Sequence, residues 1–132
     1  MNKTDSPLGD VYNIEVFQVL LKYEIERSRR YPNPLSLIPI ETTPTAFAPE
    51  TLRAAPRIFS TALCSHLRSS DIPARSGSLY IILLPNSDKH GTHAVCERLL
   101  SVFKNKFEDT RGNPVTFSLQ MGATSHPGGP DL

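Results

Sequence analysis

Residues 68–85 read RSSDIPARSGSLYIILLP. Ile72–Arg75 and Leu79–Leu84 flank Ser76-Gly77-Ser78, and two extended runs around a short glycine-containing turn predict a β-hairpin. Arg68, Asp71 and Arg75 lie just before the turn, whose own side chains carry no chemistry, and an apolar run follows it. That contrast separates an enzyme from a protein built like one.

Beyond the hairpin, Pro85-Asn86-Ser87-Asp88 leads into a predicted helix from His90 to Phe107 with Ala94, Val95, Leu99, Val102, Phe103 and Phe107 as an apolar stripe. Asp109–Pro114 turns the chain. Val115, Phe117, Leu119 and Met121 alternate with Thr116, Ser118 and Gln120, which predicts a final strand, and SHPGGPDL reads as a loop-like tail. Before the hairpin, Ile14, Phe17, Val19, Leu20, Leu21 and Ile25 predict an amphipathic helix over Val11–Arg30, stopped at Tyr31-Pro32-Asn33-Pro34. Leu35–Ile40 reads as a strand, bulged or distorted near its end because Pro39 cannot donate to a ladder. Thr42–Ala55 reads as a loop or frayed turn, and Pro56 suits the first turn of a helix through Ile58, Phe59, Ala62, Leu63 and Leu67. The order predicts an α+β sandwich: a mixed sheet with helices on one face.

A chain of 132 residues is one domain by length and long enough for a real core. The net charge of +1, with both signs interspersed, argues against a nucleic-acid partner or a membrane field. Cys64 and Cys96 fall in apolar helical patterns and read as buried thiols, which fits a reducing cytoplasm. No apolar run approaches the ~18 residues of a membrane span.

The span from about Phe17 to Ala123 resembles the GGDEF domain of diguanylate cyclases. The residues that carry the resemblance are PLSLIPIE, RSSD, ARSGSLYIILLP, CERLL and VTFSLQMGA, against the family's PLSLxxxD, RxxD, RYGGDEF-xxLLP, AER and vTvSiGvA. The resemblance implies a ferredoxin-like, nucleotide-cyclase palm: a mixed, mainly antiparallel sheet flanked by helices. In the family this fold condenses two GTP molecules into cyclic di-GMP.

Against that pattern the catalytic positions depart. The family's two magnesium carboxylates map onto Glu41 and onto Ser78 or Leu79, and a hydroxyl or a leucine cannot replace an anionic ligand of a hard cation. The signature turn reads Ser76, Gly77, Ser78, Leu79, Tyr80, one residue short between Arg75 and Tyr80, and the guanine-reading Asn and Asp have no clear counterparts in TTPTAFAPETLRAA. The resemblance therefore implies a degenerate, catalytically inactive domain, with no catalytic residues, no cofactor and no metal.

The family's product-binding inhibitory site maps onto Arg68, Asp71 and Arg98. Guanine offers O6 and N7 to an arginine fork and N1–H and N2–H to a carboxylate, so these residue types suit cyclic di-GMP. The resemblance implies a cyclic di-GMP receptor in bacterial second-messenger signalling. The plainer reading is a cation at a helix end (Arg68), a cap or a partner of Arg75 (Asp71) and a solvated helix residue (Arg98). The alternative function is a protein–protein interaction scaffold or dimerisation domain that binds no nucleotide. His90, His93 and Cys96, with Glu97, have zinc-ligand residue types, but their angles spread round a helix, and surface histidines with a core thiol explain them.

The expected boundaries are a flexible segment 1–10, the degenerate domain over 11–124 and a flexible tail over 125–132. The family continues with another helix and strand that nothing after Gly122 matches. The chain is thus expected either to be a fragment or to be shortened, leaving apolar surface for a partner protein or a second copy.

Overall fold

The computed structural model describes residues 11–129. Its elements are β1 (Tyr12–Asn13), α1 (Ile14–Arg30), β2 (Leu35–Thr45), α2 (Pro49–Cys64), β3 (Ile72–Ser76), β4 (Leu79–Pro85), α3 (Lys89–Val102), β5 (Phe107–Glu108), β6 (Pro114–Met121) and β7 (Thr124–His126). The hairpin forms as predicted. Ser76 pairs with Leu79, so the turn is Gly77-Ser78, and Gly77 takes φ +63°. A left-handed first residue with an ordinary second is the sign pattern of a type II′ turn.

Strand β4 pairs antiparallel with β2 from Leu35 to Glu41, and β2 pairs on its other side with β6 and β7. Strand β1 adds in parallel to β3, giving the order β1-β3-β4-β2-β6-β5. The sheet is mixed and mainly antiparallel, as expected.

The two faces bury different clusters. Ile38, Ile40, Tyr80, Ile82 and Leu84 pack with Ala55, Phe59 and Leu63 of α2 and with Val95 and Leu99 of α3. Leu35, Ala74 and Leu83 pack on the opposite face with Phe17 of α1. The expectation of helices on one face is thereby corrected: β4 is apolar at both parities because both its faces are covered.

That second face is covered only in part. Glu41, Thr43 and Thr45 of β2 and Thr116, Ser118 and Gln120 of β6 are exposed, and no described helix lies over them. Their side chains are polar, so this stretch of the sheet presents no apolar surface. Alternation has already suited this half-sheet to water.

Several element boundaries differ from expectation, each for a local reason. Strand β2 runs unbroken through Pro39 to Thr45, where a loop was expected. Gly122 N–H donates to the Pro39 carbonyl at 3.0 Å, and Pro39 has no N–H to return, so the break falls in the partner, between β6 and β7, which share one register. Pro49, not Pro56, occupies the first turn of α2, and Pro56 lies inside the helix. Tyr12 and Asn13 belong to β1, and the Asn13 side chain caps α1 by accepting from Val16 N–H. Helix α3 stops at Val102, and Phe107 joins β5.

Part of the expected flexible tail is ordered: Ser125 and His126 belong to β7, and Gly129 N–H donates to Ser28 O at 2.9 Å. A Cβ at Gly128 would collide with the Asn33 backbone. The segment 1–10 and residues 130–132 lie outside the described residues.

Candidate functional site

The signature turn brings Ser78 against Glu41: the Ser78 hydroxyl donates to Glu41 Oε1, while Leu79 faces Glu41 across the β2–β4 ladder. Arg75 Nε donates to Gly77 O at 2.6 Å, and its guanidinium lies 5.8 Å from the Tyr80 ring centroid. Behind the turn the space is filled. Phe59 packs tilted against Tyr80 and edge-on against Phe117, with centroids 4.7 and 5.2 Å away. Only about 60 Å³ remains among Thr42, Pro44, Phe59, Arg75, Tyr80 and Phe117. Small-molecule pockets start at roughly 300 Å³, so no purine fits there in this conformation.

Tyr80 fills much of this region. Its ring is fully buried, its hydroxyl lies 3.0 Å from Ser60 Oγ, and burial pushes its pKa above the usual phenol value. Thr42 Oγ1, in the same cavity, is buried without a hydrogen-bond partner. Among the described residues no three His, Cys, Asp or Glu side chains are grouped as metal ligands would be.

Arg68 and Asp71 meet in the turn between α2 and β3. Arg68 N–H donates to Asp71 Oδ2 at 2.8 Å, and Arg68 Nη2 donates to Asp71 Oδ1 at 3.0 Å. The same nitrogen reaches Ser87 Oγ at 2.8 Å and Pro85 O at 3.2 Å. Asp71 is thus the partner of Arg68, not of Arg75. Its side chain is fully buried while that of Arg68 is 52% exposed. A direct contact between Asp71 and a ligand does not follow from this geometry: the carboxylate is spent aiming the arginine. Arg98 is exposed on α3, and its Nη2 donates to His66 O at 3.0 Å, so it is anchored two residues before Arg68 in the chain.

Sequence reasoning missed Ser87, the Pro85 carbonyl and the His66 carbonyl as the anchors of these arginines. Backbone acceptors leave no mark in a sequence, and Ser87 lies in an ordinary strand-to-helix turn. His90, His93 and Cys96 border one concavity of about 910 Å³ together with Lys89 and His126. They do not converge on one point as zinc ligands would.

No protein-family model matches the sequence, and no curated protein matches it significantly. Solved structures do match. The GGDEF domain of FimX from Pseudomonas aeruginosa superposes with a TM-score of 0.78 at 17% identity, over 96% of this chain and 81% of that one. The GGDEF domain of DgcB from Caulobacter crescentus, in complex with c-di-GMP, gives 0.79 at 13% identity over 98% and 80%. The diguanylate cyclase SiaD of Pseudomonas aeruginosa, in complex with its activator SiaC, gives 0.76 at 22% identity over 92% and 49%. At these identities the likeness establishes the architecture, and the chain has the fold of GGDEF domains.

Proposed function

We propose that this chain is a catalytically silent module of GGDEF fold that acts as a receptor for cyclic di-GMP. The observation that carries the reading is the preset Arg68: a buried carboxylate fixes one edge of its guanidinium, and half of the side chain stays open to solvent. Arg98, anchored on the backbone of the same segment, supplies a second exposed guanidinium. Two such planes suit the O6 and N7 edge and the flat face of guanine, and their charge suits phosphodiesters. In this role Asp71 is a positioning residue.

Silence as an enzyme is supported by the signature turn. Glu41 is left with a hydroxyl and a leucine opposite, and a filled cavity stands where a nucleotide would enter. The neighbour solved with c-di-GMP makes the same ligand reasonable for this fold.

Isothermal titration calorimetry with cyclic di-GMP tests the reading. The wild type is expected to bind, and Arg68→Ala and Arg98→Ala each to weaken binding by about tenfold or more, as loss of a charge-assisted contact should. Incubation with GTP and magnesium is expected to give no cyclic product. If the wild type does not bind, the reading fails and an interaction scaffold takes its place. Phe47, fully exposed just before α2, and Tyr23, 67% exposed on α1, favour that second reading because protein interfaces use such aromatics.

A further inference from the structure

Strands β6 and β7 share one register on β2, so Pro114 to His126 forms a single margin of the sheet. Gly122 N–H points inward, to Pro39 O. Successive residues of an antiparallel ladder turn their backbone groups to opposite sides, so the odd-numbered residues of this margin turn theirs outward. Val115 meets Phe107 of β5 there. Strand β5 is only two residues long, and no described strand pairs with the margin beyond it. The outward N–H and C=O groups of Phe117, Leu119, Met121, Ala123 and Ser125 therefore form a row with no backbone partner among the described residues.

Natural sheets guard such edges with lysine, proline or a bulge, because an open ladder is a template for another strand. This edge has none of them. Thr116 to Ser125 reads TFSLQMGATS, without a charge or a proline in a chain that is 20% charged, and its register on β2 runs without a bulge.

The symmetry of the row selects its occupant. It begins where β5 ends and stops where the chain leaves the sheet after His126, so its midpoint is Met121. A two-fold axis at that midpoint sets every open residue against an open one: Met121 against its own copy, Leu119 against Ala123 of the second copy, and Phe117 against Ser125. These pairs exchange about ten backbone hydrogen bonds. The side chains match too, since Leu119 and Met121 are half-buried on the helix-covered face while Thr116, Ser118 and Gln120 are exposed on the polar one. No like charges meet, and a charged partner would find nothing on this edge to answer it.

We propose that the open β6–β7 margin pairs antiparallel with the same margin of a second copy, giving a two-fold dimer with one continuous sheet. About ten residues a side is fewer than the roughly 20–30 of a standard interface, so the dimer is reversible, with a Kd on the order of micromolar. Neither Arg68 nor Arg98 belongs to the margin, and the pairing stands whether or not cyclic di-GMP binds.

The test is sedimentation velocity of the full chain without nucleotide, over about 1–500 µM to bracket that affinity. Monomer is expected to give way to dimer across the range. Ala123→Pro removes an outward N–H at an exposed edge position, where proline is tolerated. It should weaken the dimer by about tenfold or more with far-ultraviolet circular dichroism unchanged. Tyr23→Ala, on the exposed face of α1, should leave the dimer in place. Hydrogen-bonded antiparallel pairs hold Cα atoms about 5.5 Å apart, within disulfide reach. Met121→Cys should therefore crosslink under mild oxidation beyond the wild-type level and Ser125→Cys should not, a comparison that decides the matter even if Ala123→Pro does not fold. A monomer at every concentration, a dimer abolished by Tyr23→Ala or indifferent to a folded Ala123→Pro, or equal crosslinking of the two cysteine variants would each overturn the proposal. Failure to bind cyclic di-GMP in calorimetry overturns the receptor reading alone.

Discussion

Single residues carry two titration effects of opposite sign. Burial raises the pKa of Tyr80, partly offset by its bond to Ser60, so the folded state holds the neutral phenol longer than the unfolded chain does. The stability this confers is complete below the unfolded phenol value of about 10 and is lost as pH rises through the folded value. Urea midpoints measured from pH 8 upward should therefore fall, and Tyr80→Phe should flatten that fall while costing about 1 kcal/mol at neutral pH through the abandoned Ser60 hydroxyl. Asp109 behaves in the opposite way. The Thr51 hydroxyl, and after it the Asn113 N–H, hold its carboxyl below the ordinary value. Its contribution is present above about pH 4 and is lost as pH falls through the folded value. Acid titration of Asp109→Asn should show a shallower loss of stability than the wild type.

The secondary elements show which patterns were legible in the sequence. The β3–β4 hairpin could be read because Gly77 and two extended runs leave little choice, and β6 because its parity is strict. Strand β2 was cut short because Pro39 and Pro44 look like breakers. A proline breaks only the side its missing N–H faces, and along β2 that side alternates. Pro39 turns to β6 and β7, where it costs one bond and splits the partner. Helix α2 was started late because Pro56 resembled a first-turn proline, when Pro49 already filled that place. Pro56 interrupts the bond to Leu52 O, and restoring it through Pro56→Ala should stabilise the protein by about 2 kcal/mol, the helix penalty of proline less its restraint of the unfolded chain. In the turn, Gly77→Ala should destabilise by about 1 kcal/mol from its left-handed φ alone, since nothing crowds a Cβ there. Guanidinium denaturation of both variants reads the two signs directly.

For the whole molecule, one sheet divides two unequal cores. The larger centres on Phe59, which touches Tyr80, Phe103 and Phe117 by ring contacts. Phe59→Ala should cost about 3–5 kcal/mol, the range for emptying a core aromatic site, and equilibrium unfolding measures it. The fold was legible from motif order, and the palm expected from it agrees with the neighbours. The candidate site was less so. Arg68 and Asp71 were found from spacing, but the roles they take depend on Pro85 and Ser87 arriving from the far end of the hairpin.

The Gly128–Gly129 corner ties the β7 side of the sheet to the last turn of α1, through Ser28 and Asn33. It works as a mechanical latch. A shift of α1 relative to the β7 strand would have to break the Gly129–Ser28 hydrogen bond and open the close approach of Gly128 to Asn33, so the two elements are held in one relative position.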